Sequence, residues 1–172
     1  AEHPWDSSIT AYNTVVLDDG RYRMWYRTDD QHASNAMRHG YAESADGIVW
    51  EKPTVGLIEY NGSTENNLVF EGPSDCFAPF IDDNPEAAQD ERYKAVACGP
   101  DRQVLEAYAS ADGLKWRKLR EEPILTDPPF DSHNATLWES KGAGSMCCML
   151  AVQPAAAVCL RAVCAGCGAR PR

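Results

Sequence analysis

The heptapeptide Ser44-Ala45-Asp46-Gly47-Ile48-Val49-Trp50 returns 66 residues later as Ser110-Ala111-Asp112-Gly113-Leu114-Lys115-Trp116, with five of the seven positions identical. A repeat of this period marks a supersecondary unit copied in space, each copy burying an apolar face against its neighbour. The box itself reads as a turn. Gly supplies a positive φ, the Asp side chain bonds the turn backbone, and the aromatic residue resumes the strand. Asp46 and Asp112 are therefore expected to serve the turns, and Trp50 and Trp116 to pack within the repeat.

The flanking residues complete the unit. From Asp19 to Arg27 a turn precedes an alternating stretch, with Tyr22, Met24 and Tyr26 on one face and Arg23, Trp25 and Arg27 on the other. That alternation predicts a strand. Its counterpart runs from Glu91 to Cys98 ahead of the second box. Before each lies an apolar run ending in acids, Asn13 to Asp19 and Ala78 to Asp83, as suits a strand buried on both faces. Each unit then reads as four strands: a buried inner strand, the Tyr-led strand, a third ending at the box, and an outer one beginning near the Trp. Four-stranded meanders repeated radially make a β-propeller, so an all-β fold is expected. Blade 1 spans about residues 4–55 and blade 2 about 74–122, with the inner strand of a third blade at about 130–140. Between the first two, Pro53 to Pro73 reads as a linker, and Asn84 to Asp90 holds one helical turn at most.

Charge and composition change abruptly after Glu139. All 26 acidic residues lie at or before it, and only Lys141, Arg161, Arg170 and Arg172 carry charge beyond it. Five of the seven cysteines, Cys147, Cys148, Cys159, Cys164 and Cys167, crowd the same segment. A structural zinc site needs four ligands at suitable spacing, and no histidine follows His133, so no metal site or cofactor is expected from Cys164-Ala165-Gly166-Cys167. Residues 141–172 are expected to be an irregular Ala/Cys/Gly-rich tail, disordered or non-native, of the composition that a reading-frame slip in GC-rich DNA would produce. The net charge of −10, with no basic footprint, argues against nucleic acid as a partner. No apolar run is long enough for a membrane helix, and Ala1 to Asp6 lacks the build of a secretory signal, so the compartment is open. Entry at Glu2-His3-Pro4-Trp5-Asp6 without a methionine reads as a chain cut from something longer.

Taken in order, several phrases resemble one family. Tyr22-Arg23-Met24-Trp25-Tyr26 comes first, then the box continued as Trp50-Glu51-Lys52-Pro53. Pro79-Phe80-Ile81-Asp82 with Glu91-Arg92-Tyr93-Lys94 and Phe130-Asp131-Ser132-His133-Asn134 complete the series. Over residues 4–140 the chain is similar to bacterial members of the five-bladed glycoside hydrolase superfamily of invertase-, levanase- and arabinanase-like enzymes. That resemblance implies a carbohydrate substrate and three carboxyl groups from successive blades converging in a funnel at the propeller axis. Glycoside hydrolysis needs an acid to protonate the leaving oxygen and a carboxylate to act as nucleophile or to activate water. Asp6 for the first blade, Asp75 in preference to Asp82 for the second, and Asp131 for the third are the expected catalytic carboxylates. Trp5, Ser132, His133 and Asn134 are the expected sugar contacts. The superfamily's usual glutamate acid in the third blade has no match, because Glu139 follows the inner strand instead.

Other readings stand beside this one. Asp6 and Asp75 also read as loop and turn residues, His133 as a structural histidine, and Trp5 as half-buried packing. A sialidase-like propeller would carry a box one residue longer and a cluster of arginines, and a propeller used only to bind carbohydrate or protein would share the fold. Motifs of serine hydrolases, zinc peptidases, P-loops and dinucleotide folds are absent from the sequence. Since two blades and a strand leave faces and edges uncovered, the 172-residue chain alone is expected to be inactive and of low stability.

Overall fold

A computed structural model describes residues 3–6, 13–28, 37–72, 77–85, 87–99 and 104–126, together with the backbone of 130–139, 145–152 and 156–162. Three antiparallel sheets follow one another along these residues. The first is the meander β1 (Thr14–Asp18), β2 (Arg21–Thr28), β3 (Met37–Ser44) and β4 (Leu68–Gly72). In the second, β5 (Phe77–Ile81), β6 (Tyr93–Cys98), β7 (Val104–Ser110) and β8 (Arg117–Lys118) repeat the order, and β9 (Leu125–Thr126) also pairs with β7. The third joins β10 (Phe130–Glu139), β11 (Ser145–Val152) and β12 (Ala156–Ala162). One 3₁₀ turn, Gln89–Glu91, precedes β6. The expected two blades and the start of a third are present.

Both boxes fold as the sequence predicts, and they fold alike. Ser44 Oγ accepts from Gly47 N at 2.9 Å, while Asp46 Oδ1 accepts from Ile48 N and Val49 N at 2.8 and 2.9 Å. In the second box Ser110 Oγ accepts from Gly113 N at 2.9 Å, and Asp112 Oδ1 from Leu114 N and Lys115 N, both at 2.8 Å. Gly47 and Gly113 share a φ of 75°. With the Asp N–H donating to the Ser Oγ as well, four bonds from backbone to side chain close each turn without help from the rest of the fold.

Two expectations are corrected. The fourth strand of the first blade does not begin at Trp50, where only the bridge Glu43↔Glu51 forms; it is β4, inside the presumed linker and beyond the boundary near residue 55. The second blade shows the same break, since β8 pairs with one end of β7 and β9 with the other. A fourth strand that leaves the ladder and rejoins it keeps the box next to its partner while an excursion of any length is inserted between. The tail is corrected in part: β11 pairs with both β10 and β12 where an irregular chain was expected, and residues 163–172 lie outside the described residues. Met146 to Val152 is an uninterrupted apolar run, Gln153-Pro154 breaks it, and a second apolar run follows. Such runs bounded by a Pro break form strands whatever their composition suggests.

The core lies in the seam between the first two sheets. Trp25 and Tyr41 of one sheet and Phe77, Tyr93 and Tyr108 of the other are buried together, with Phe70 stacked on Phe77 at 4.1 Å. His39 is enclosed with them, its ring 5.3 Å from that of Phe77. Across the seam the buried Trp25 Nε1 donates to the Gly113 carbonyl at 2.7 Å. Beside it Arg92 grips Asp18 with two bonds, at 2.5 and 3.0 Å, while Arg23 and Tyr93 also donate to that carboxylate. The Arg92 guanidinium above all holds the Asp18 carboxyl below the usual carboxylate range, against the effect of burial. Burial first, and then the bond to Asp18, push the Tyr93 hydroxyl up to about 12.

A Cβ on Gly113 would stand 2.9 Å from the Trp25 ring, whereas one on Gly47 meets nothing closer than 3.5 Å. Gly47→Ala is therefore expected to cost about 1 kcal/mol, for its positive φ alone. Gly113→Ala should cost about 2–4 kcal/mol, because overpacking of the seam adds to the strain. Urea midpoints of the two variants make the comparison, and equal losses would contradict the seam geometry.

Because the carboxyl groups of Asp18, Asp46 and Asp112 are lowered in the folded state, their contribution to stability is present above the unfolded value near ~3.9. It is lost as the pH falls through the folded values. Asp18→Asn should lose on the order of 2 kcal/mol at about pH 7 and show a shallower decline toward about pH 3, read from urea midpoints along a pH series.

Candidate active site

The first strand of each sheet sets the geometry. β5 touches both β1 and β10, so the three first strands stand together while the later strands run outward. Their starting ends are Thr14, Phe77 and Phe130, and Asp18 and Asp82 lie at the opposite ends of β1 and β5. Asp82 is buried, pairs with Lys94, and accepts from Asn84 N at 3.0 Å to shape the turn that follows β5. It serves that turn, in keeping with its place at the far end of its strand.

Of the expected carboxylates, Asp131 occupies the most informative backbone position. The pairing of β10 with β11 jumps from Phe130↔Val152 to Asn134↔Leu150, so Asp131, Ser132 and His133 face a single residue of the partner strand. An irregularity of this kind lifts the chain out of the ladder and redirects its side chains, which is why bulges recur beside active sites. The side chains of Asp131, Ser132, His133 and Asn134 lie outside the described residues, as does Asp75 altogether; by sequence Asp75 comes just before the start of β5.

Asp6 lies at the end of the first sheet where β1 begins. It is only 2 % exposed, forms an ion pair with Lys52, and packs beside Tyr26, the residue next to Trp25, whose register partner Thr14 starts β1. Asn67 organises this end. Its Nδ2 donates to the Tyr26 hydroxyl and to the Tyr41 carbonyl, each at 2.7 Å, and its Oδ1 accepts from Trp5 Nε1 at 2.8 Å. The Tyr26 hydroxyl is pushed up to about 12, first by burial, with the Asp6 charge adding to the shift and the Asn67 bond opposing it. Trp5 stacks on His3 with ring centroids 4.7 Å apart and meets Tyr60 edge-on. Trp5 is half-buried in this arrangement.

The sequence shows Lys52 only as part of the phrase Trp50-Glu51-Lys52-Pro53, with no role attached, and Asn67 was not singled out from it. Lys52 stands just after the box, and Asn67 within a polar stretch that has no local pattern, so their partners come from 46 and 41 residues away. The adjacent Asn66-Asn67 pair before an apolar run was the available signal, since an amide that caps a strand start is a recurrent use of Asn.

Among the described residues no group of three or more His, Cys, Asp or Glu side chains converges on a metal position. No helix there is long and apolar enough to cross a membrane.

No protein-family profile matches the chain. An uncharacterized protein of Mycobacterium tuberculosis is 30% identical over 130 residues, which are 72% of this chain and 39% of that protein. Among solved structures, a fructofuranosidase of Schwanniomyces occidentalis in complex with fructose superposes with a TM-score of 0.59 at 14% identity, covering 86% of this chain and 31% of the enzyme. Exo-inulinase of Aspergillus awamori gives 0.51 at 13% identity, over 86% of this chain and 35% of the enzyme. An N-acetylgalactosamine deacetylase of F. plautii, in complex with blood group B trisaccharide, gives 0.51 at 18% identity, over 84% and 40%. The chain thus spans well under half the length of each. With its seam of repeated blades and its radiating strands, this chain has the β-propeller fold of the fructofuranosidase and inulinase type of glycoside hydrolase, and makes up part of such a propeller.

Proposed function

We propose that the propeller to which this chain contributes hydrolyses glycosidic bonds in oligo- or polysaccharides, with Asp131 and Asp75 among the carboxyl groups at its mouth. The observation that carries this reading is the break in pairing at Asp131–His133, at the starting end of a first strand, within a fold shared with fructofuranosidase and inulinase. A carboxylate there serves as nucleophile, or as base toward water, and stabilises the oxocarbenium-like transition state. Ser132, His133 and Asn134 supply hydrogen-bonding groups for sugar hydroxyls. Asp6, paired with Lys52 at the end of the first sheet where β1 begins, is the first blade's carboxyl group in this scheme. Glu139 ends β10 at the far side from the mouth and does not meet the need for a general acid.

Release of reducing sugar from a glycan panel, β-fructosides first, tests the proposal in the polypeptide as produced in its native cell. Asp131→Asn is expected to lower release by at least about 10²-fold while leaving the fold intact by circular dichroism. No release from the unmodified protein, with glycan binding unchanged in Asp131→Asn, would sink it. A propeller that binds sugar without cleaving glycosidic bonds is the second reading, favoured by the deacetylase among the proteins of this fold. Binding that is retained, without release but weakened by Asp131→Asn, is its signature.

A further inference from the structure

We propose that Lys52 is a positioning residue for the first-blade carboxylate: it holds Asp6 by Oδ2 and leaves Oδ1 for the substrate, a role that rests on the hydrolase reading. The second blade holds the matching lysine in a pair of a different kind.

Strand register aligns the two blades. Tyr22 opposes Ser44 as Tyr93 opposes Ser110, and the boxes lie 66 residues apart, so Lys52 corresponds to Lys118, Gly40 to Glu106 and Tyr26 to Ala97. In blade 2 the lysine is paired within its own sheet. Lys118 Nζ donates to Glu106 Oε1 and the Tyr108 hydroxyl donates to Glu106 Oε2, each at 2.7 Å, so both carboxylate oxygens are used. Blade 1 has no acid at the matching position. Gly40 stands there, and the Tyr26 side chain fills the space above it, since a Cβ on Gly40 would lie 2.7 Å from Tyr26 Cζ. The Lys52 ammonium passes 5.6 Å from the centre of the Tyr26 ring and donates to Asp6 Oδ2 instead.

Asp6 is brought to this lysine from outside the sheet. Its N–H donates to the His3 carbonyl at 3.0 Å, the Pro4 carbonyl accepts from the Tyr60 hydroxyl at 3.4 Å, and the Trp5 indole is fixed by Asn67. On the other side the bridge Glu43↔Glu51 ties the residue before Lys52 to β3. Both partners are therefore held by their backbones, and the pair differs from that of blade 2 in one respect. Asp6 Oδ1 is buried and has no hydrogen-bond donor among the described residues. A carboxylate oxygen withdrawn from water without a donor costs stability, and a purely structural pair avoids that cost, as Glu106 does with both oxygens engaged. At the end of the first sheet where β1 begins, the remaining oxygen is the one for a sugar to meet, whether at a hydroxyl or at the anomeric carbon. A carboxylate in such a place needs a partner charge and a fixed orientation before it can serve a reaction. Lys52 supplies both through a single oxygen.

Steady-state kinetics of reducing-sugar release test this role in the polypeptide as produced in its native cell, on the glycan of the panel that it cleaves fastest. Rates are normalised to folded protein by circular dichroism. Lys52→Met is expected to lower kcat by at least about 10²-fold with KM within about threefold, because the carboxylate is misplaced while the sugar contacts remain. Lys52→Arg, which keeps the charge and a donor, is expected to recover at least about tenfold of that loss. Lys118→Met, the counterpart in blade 2, is expected to change neither constant. Should Lys52→Met fail to fold, Lys52→Gln decides: a loss in kcat of at least about tenfold supports the role, and an unchanged kcat overturns it. Hydrolysis by the unmodified protein with kcat unchanged in Lys52→Met overturns the role of Lys52 and leaves the hydrolase reading standing. Absence of hydrolysis by the unmodified protein removes that reading, and the role of Lys52 with it.

Discussion

The Trp25 indole reaches across to the Gly113 carbonyl, and the two-blade body is organised around that bond. It can form only because the box holds the carbonyl outward: Ser110 and Asp112 saturate the amides of the turn and leave the oxygen unused within its own blade. A buried indole N–H without an acceptor would carry the full cost of desolvation. The turn of one blade and the tryptophan of the other are therefore complementary halves of one contact. The absence of a side chain on Gly113 is a steric requirement of the partner ring as well as a matter of φ.

Electrostatics reinforces this junction at one end. Asp18 lies between two guanidinium groups and a phenol, and Arg23 passes on to Tyr41 and from there to Glu43. A carboxylate so fully engaged is a poor proton acceptor; its function is to fasten β1 to the start of β6. At the other end, where the first strands begin, Asp6 is paired with Lys52. Asp131 sits where the ladder is interrupted.

What could be read from the sequence was whatever is settled locally. Each box needs only residues within six positions of one another, so its turn, and the roles of Asp46 and Asp112 in it, were legible. The same holds for the alternation of Tyr22, Trp25 and Tyr26 in β2, whose faces the structure keeps as predicted. Features that depend on distant partners were not legible. The β4 strand hides in a polar stretch because its pairing is with Met37–Gly40 and not with the residues next to Trp50. Lys52 and Asn67 take their meaning from Asp6 and Tyr26. The tail misled through its composition, which says little about strand formation when apolar residues run without a break. The candidate site was legible as far as strand order allows, which brings the first strands of the three sheets together.

The broken fourth strand has a bearing on behaviour in concentrated solution. An outermost strand normally displays a full row of unpaired amides and carbonyls, on which another chain can lay its own strand. Here the outer rows are five residues long in the first blade and divided into two pieces of two residues each in the second, with a turn or an excursion between them. A visiting strand finds at most five residues in continuous register along these two rims, so they are poor templates for cross-β growth. The interruption that obscured β4 in the sequence is thus also a safeguard against edge-to-edge aggregation.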